Sequence, residues 1–222
     1  MAGRITSIQV QKKNQRRVNI SLDGEFAFGL AFVDAARLSK GQYLSDDDIA
    51  ALRAADDRTR AYDFALDFLS YRPRSRAEVT NRLRKKAFHE SVIEDVLQRL
   101  AQAQLIDDAA FARYWIRNRE QFKPRGVRAL RYELRQKGIA DELIDELLQN
   151  VDQIEGAYQA VASRVPKWRR LDRATFRRKL VGYLQRRGFY YDVISQVWDR
   201  IESELEASRF DGEEREDTEI WD

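Results

Sequence analysis

The sequence predicts a mainly α protein: a tandem array of three three-helix repeats behind a small N-terminal extension of β-meander and helix. Three observations carry that prediction. Arg84-Lys85-Lys86-Ala87-Phe88, Arg135-Gln136-Lys137-Gly138-Ile139 and Gln185-Arg186-Arg187-Gly188-Phe189 end alike and lie about fifty residues apart, a period typical of repeat architectures. Apolar residues recur in register around these ends in every copy. The only three prolines, at 73, 124 and 166, each fall between the first and second helix of a unit.

The expected divisions are 1–56 for the β-containing extension, 57–106, 107–152 and 153–205 for the repeats, and 206–222 for an acidic, disordered tail. In the extension, Ile5, Ile8 and Val10, then Val18, Ile20 and Leu22, alternate with polar residues, as half-buried strands do. Asp23-Gly24 is a hairpin signal. Strands are expected near 4–12, 16–22 and 25–29, and a short helix near 30–37. Ser45 followed by Asp46-Asp47-Asp48 marks the capped start of a helix near 46–56.

Within the repeats, Val79, Leu130 and Leu180 form one apolar column and Leu83, Leu134 and Leu184 the next, four residues on and on the same helix face. Phe88, Ile139 and Phe189 follow, then Ile93, Ile144 and Ile194. Gly138 and Gly188 occupy the position after a helix where a left-handed backbone is required. Ala87 stands there in the first repeat, where that conformation costs an alanine about 1 kcal/mol. The acids that open the third helices (Glu90, Glu94, Asp141, Glu142, Asp192) suit the positive end of a helix dipole. The aromatics of the first helices, such as Phe64, Phe111 and Trp115, are expected in the core.

The formal charge of +3 hides a segregation. Residues 202–222 hold ten Asp and Glu against two Arg, a net of −8. The windows 72–86, 123–137 and 164–187 together hold 23 Lys and Arg against three acids, Glu78, Glu133 and Asp172. Stability alone favours mixed charges four residues apart, so three helices nearly stripped of acids point to a polyanionic partner. The candidate contacts are Arg72, Arg74, Arg76, Arg82, Lys85 and Lys86 in the first unit, and Lys123, Arg125, Arg128, Arg131, Arg135 and Lys137 in the second. The third contributes Lys167, Arg169, Arg170, Arg173, Arg177, Lys179, Arg186 and Arg187. Arg128, Arg131 and Arg135 share a helix face away from the Leu130/Leu134 stripe. Trp168, between two cations, either stacks on a base or covers the core edge. The acidic tail serves solubility, screens the basic faces or reaches a basic partner.

The sequence makes no positive case for catalysis. With no Cys, a disulfide framework, a zinc finger and a thiolate nucleophile are excluded, and a reducing cytoplasm fits. His89 is the sole histidine and has no Ser or Cys partner in a recognisable motif. No glycine loop followed by Lys-Ser or Lys-Thr is present to cradle phosphates. Asp46-Asp47-Asp48 and Asp107-Asp108 sit at helix starts, where capping explains them better than a metal. No cofactor is expected. Neither a signal-peptide apolar stretch at Met1–Val10 nor a membrane-spanning run is found.

Ser75-Arg76-Ala77-Glu78 with Leu83-Arg84-Lys85-Lys86, Leu105-Ile106-Asp107-Asp108 with Phe111-Ala112-Arg113-Tyr114, and the Gly138 and Gly188 turns resemble the RecX family over roughly residues 57–203. Arg17-Val18-Asn19-Ile20 and Asp23-Gly24-Glu25-Phe26 are similar to the β-containing extension of its longer members. The resemblance implies tandem three-helix repeats and a non-enzymatic regulator of the RecA recombinase in DNA repair, recombination and the SOS response. It implies a monomer that binds along the groove of the RecA–DNA filament, on single-stranded and secondarily double-stranded DNA. It also implies blocked extension or promoted disassembly, with ATP hydrolysis and strand exchange inhibited. Two alternatives are a sequence-specific transcription factor with helix-turn-helix-like units and a helical scaffold that binds no nucleic acid.

Overall fold

The computed structural model describes residues 2–216, with side chains through Ala207. It divides at 107/108 into two compact units. Strands β1 (Gly3–Gln11), β2 (Asn14–Leu22) and β3 (Glu25–Ala31) form the expected antiparallel meander. Asp23 and Gly24 both have positive φ, 50° and 95°, joining Leu22 to its partner Glu25 in a two-residue turn. The inward residues Ile5, Val18, Ile20, Leu22, Phe28 and Leu30 form the core of the extension. The sheet has a fourth strand that sequence did not reveal, β4 (Tyr43–Leu44), paired with β1 to give the order β3-β2-β1-β4. Two residues are too few to show an alternating pattern.

Helix α1 spans Phe32–Ala35, and α2 runs without a break over Asp46–Ser70. Ser45 and Asp48 cap α2 reciprocally: the Ser45 Oγ accepts the Asp48 amide and the Asp48 carboxylate accepts the Ser45 amide. The sequence expectation ended this helix at 56 and began the first repeat at 57. No Gly or Pro interrupts residues 46–70, and Asp56 is not a breaker. Its buried carboxylate accepts the Ala31 amide at 2.7 Å and both terminal nitrogens of Arg17 at 3.0 and 2.9 Å. One helix therefore serves both the β-extension and the first repeat, which α3 (Arg76–Arg84) and α4 (Glu90–Gln102) complete.

The second unit holds α5 (Asp108–Phe122), α6 (Val127–Gln136) and α7 (Asp141–Leu148) in the second repeat. The third has α8 (Gln153–Ala162), α10 (Arg173–Arg186) and α11 (Tyr191–Glu216), with an extra single turn, α9 (Val165–Trp168), that begins around Pro166. Val79, Leu130 and Leu180, then Leu83, Leu134 and Leu184, are fully buried, so the predicted columns are the cores of the three bundles. Helix α11 continues to Glu216, past residue 206 where composition placed the start of the tail; residues 217–222 lie outside the described residues.

Candidate polyanion interface

Each second helix ends in the same turn. Ala87, Gly138 and Gly188 take φ of 60°, 74° and 87°. The following amide reaches back to the buried leucine carbonyl in each copy: Phe88 to Leu83 at 3.4 Å, and Ile139 to Leu134 and Phe189 to Leu184 at 3.2 Å. Ala87 thus accepts the left-handed geometry that glycine provides elsewhere. The turn aims the start of the third helix back along the second, which places acids beside arginines.

Those acids are more than dipole partners. Arg84 donates to Glu90 at 2.7 Å, and Arg135 makes the equivalent bond to Asp141 at 2.6 Å. Arg76 reaches Glu94 at 2.7 Å, and Arg131 is bonded to Asp145. The hydrogen bonds from Arg84 and Arg135 hold the Glu90 and Asp141 carboxyls below the usual carboxylate range. Window-by-window counting of charge cannot see these pairs, because the partner lies on the next helix. Exposed ion pairs of this kind contribute only ~0–1 kcal/mol, so a phosphate can displace the carboxylate at little cost.

In the first unit, Arg72 also pairs with Glu78 at 3.0 Å. Arg74 lies over the Phe68 ring at 3.9 Å with Arg82 farther out at 5.7 Å, and Lys86 lies over Phe64 at 4.9 Å. Burial holds the Arg74 pKa below its ordinary value, and the nearby Arg72 charge adds to that. Lys85 is exposed. In the second, Glu133 collects the Trp115 indole at 2.8 Å, Arg119 at 2.7 Å and Arg125 at 3.8 Å. Lys137 lies over Trp115 at 4.9 Å and Lys123 is exposed. Arg128 does not join Arg131 and Arg135 in a carboxylate pair; it donates to the Gln185 carbonyl at 2.9 Å and so ties α6 to α10. Arg187 supports the same junction, donating to the Pro124 carbonyl at 3.4 Å and lying over Tyr183 at 4.5 Å.

The third repeat is different. Residues Gln185 and Tyr191 stand where the second repeat has Arg135 and Asp141, and Val181 and Ser195 stand where it has Arg131 and Asp145. Arg173 pairs with Glu202 at 2.8 Å. Lys167, Arg169, Arg170, Arg177, Lys179 and Arg186 are exposed, and among the described residues no carboxylate forms an ion pair with Arg177, Arg178, Lys179 or Arg186. Trp168 is 8% exposed and packs edge-on against Phe176 and Tyr183, so of its two sequence roles the structure favours covering the core. Arg178 belongs to the same basic stripe as Arg177 and Lys179, and Arg164 and Tyr183, which sequence reasoning did not single out, lie beside it. Burial raises the Tyr183 phenol pKa, but the Arg164 hydrogen bond and the Arg187 charge outweigh it and leave the group below the usual tyrosine range. His89 caps α4, its Nδ1 accepting the Ser91 amide at 3.3 Å. Among the described residues no helix is long and apolar enough to cross a membrane.

Four family models match the chain: the regulatory protein RecX N-terminal domain over residues 3–45, and the first, second and third RecX three-helix domains over 61–100, 107–148 and 151–198. The regulatory protein RecX of Bacillus subtilis is 38% identical over 208 residues, covering 90% of this chain and 78% of that protein. That of Prosthecochloris aestuarii is 37% identical over 65% of this chain and 95% of its own length. A crystal structure of regulatory protein RecX matches with a TM-score of 0.68 at 32% identity, over 90% of this chain and all of that one. RecX from Lactobacillus salivarius matches with a TM-score of 0.61 at 27% identity, over 67% of this chain and 98% of that one.

Proposed function

This chain belongs to the RecX family of regulatory proteins, and from that membership we propose that it binds the RecA–DNA filament and restrains the recombinase. It does so in the cytoplasm as a monomer, without chemistry of its own. Second-helix cations attach to the filament groove, on single-stranded DNA first and duplex second, and limit extension, ATP hydrolysis and strand exchange during repair and recombination. The observation that carries this reading is the exposed Arg177, Arg178, Lys179 and Arg186 of α10, which have no carboxylate ion-pair partner among the described residues, presented by a chain of this family. The exchangeable surface pairs of α3 and α6 add a second set of arginines that phosphate can recruit. Attachment of this kind weakens steeply as salt rises. The test is RecA ATPase on single-stranded DNA, with and without this protein. Inhibition that fades as salt increases supports the proposal, whereas unchanged hydrolysis at stoichiometric protein and low salt refutes it.

A further inference from the structure

Gly182 lies in the interior of α10, where glycine weakens a helix relative to alanine. The fold gives no reason for it. Its φ is not positive, and an added Cβ would meet only the flexible end of Arg186, at 3.2 Å. The corresponding positions carry Tyr132 in the second repeat and Asn81 in the first.

The surroundings supply the reason. Gly182 lines two adjoining surface depressions and so forms a saddle between them. On one side stand Arg164, Lys179 and Arg186, on the other Arg173 and Arg177, with Arg178 shared by both. Arg178 and Arg186 are one helical turn to either side of the glycine. Arg164 comes from a different segment, the residue before α9, and lies over the Tyr183 ring at 4.7 Å, which fixes its direction. Among the described residues none of Arg164, Arg178, Lys179 and Arg186 has a carboxylate ion-pair partner. The self-neutralising pairs of the second repeat are missing at the equivalent positions. In the depression that holds Arg164, Trp168 is buried and Tyr183 is covered by Arg164 and Arg187, so neither ring is open to base stacking; the exposed ring of Tyr191 borders the other depression.

We propose that the Gly182 saddle is a binding site for the phosphodiester backbone of nucleic acid, which crosses α10 at the glycine and is held by Arg164, Arg178, Lys179 and Arg186. A linear polyanion meets cations on both sides of the saddle, which a compact acidic protein patch does not. The absent side chain lets a phosphate approach the helix backbone. Recognition is by charge, without base readout. The inference deepens the filament reading by giving DNA, not recombinase, to the third repeat, and it is tested without recombinase so that the two fail separately.

The experiment measures binding of fluorescent oligothymidine and of a duplex to the full chain by anisotropy over a salt series. Variant Arg178→Gln/Lys179→Gln/Arg186→Gln is compared with the control Arg58→Gln/Arg60→Gln/Arg200→Gln, which loses the same charge from paired positions outside the second helices. The saddle variant should weaken binding of both oligonucleotides about tenfold or more and flatten the salt dependence by about two units for oligothymidine, and the control much less. Gly182→Leu should also weaken binding severalfold while its melting temperature does not fall. Equal losses in the two triple variants, or unchanged binding by Gly182→Leu, overturn the site. So does a wild-type chain that binds neither oligonucleotide but does bind polyglutamate or recombinase protein.

Discussion

Gly126, the N-cap of α6, lies so close to Gly188 that a Cβ on it would stand 2.2 Å from the Gly188 carbonyl oxygen. Its amide donates to the Arg187 carbonyl at 2.9 Å, and a Cβ on Gly188 would in turn fall 2.5 Å from the Ala129 amide nitrogen. The positive end of α6 therefore meets the negative end of α10, a favourable dipole arrangement. The two basic helices of the second unit are joined head to tail, and Arg128 and Arg187 reinforce the joint. Spacing between their cations is set by this contact.

Gly126→Ala tests the joint. The added methyl meets backbone, which cannot swing away, so α6 and the Gly188 turn must separate. Urea unfolding should show a loss of about 1–3 kcal/mol, the range for overpacking a tight contact. Unchanged stability would mean that the repeats part without penalty.

Ala87→Gly should stabilise the protein. Alanine at φ 60° sits in the left-handed region at about 1–2 kcal/mol per residue, and glycine removes most of that while adding freedom to the unfolded chain. A net gain of about 1 kcal/mol is expected in chemical denaturation. No gain would indicate that the turn in the first repeat relaxes by another route.

Asp56→Ala should be far more damaging. The carboxylate is nearly sealed, its side chain 7% exposed, and it joins Arg17 and the Ala31 amide to the middle of α2. Removing one partner of a buried pair typically costs about 3–5 kcal/mol. Protection of the β2 and β3 amides in hydrogen exchange should drop along with global stability; a variant that keeps both contradicts the role assigned to Asp56.

Acid should weaken the links between second and third helices. Glu90 and Asp141 have folded pKa values lowered chiefly by hydrogen bonds from Arg84 and Arg135. A carboxylate of this kind contributes stability above its unfolded pKa, about 4, and the contribution is lost as pH falls through the lower folded value. Melting temperature should fall below about pH 4, and less steeply in Arg84→Gln/Arg135→Gln. Parallel slopes would exclude these pairs from the acid transition.

Much of the fold was legible because its signals are local. Gly138 and Gly188 announce left-handed caps, Asp23-Gly24 announces a hairpin, and the leucine columns announce three cores. What stayed hidden depends on contacts distant in sequence. The expected helix near 46–56 stops at Asp56, yet Asp56 is buried against Arg17 of a strand far upstream, inside one continuous helix. The basic helices read as nearly stripped of acids, yet Arg84 and Arg135 find carboxylates six residues on, across the turn, and Arg131 and Arg76 find theirs 14 and 18 residues away. Nothing near Gly126 in the sequence shows that it packs against Gly188. The candidate site was legible as charge. Only packing separates cations that neutralise a neighbour from those on α10 that do not.

The most direct measurement is electron cryo-microscopy of a RecA–DNA filament saturated with this protein at low salt. Density for the chain should follow the filament groove, with α10 facing the nucleic acid and the Arg178→Gln/Lys179→Gln/Arg186→Gln variant leaving the groove largely bare. Density confined to filament ends, or groove density with α10 turned to solvent, would contradict it.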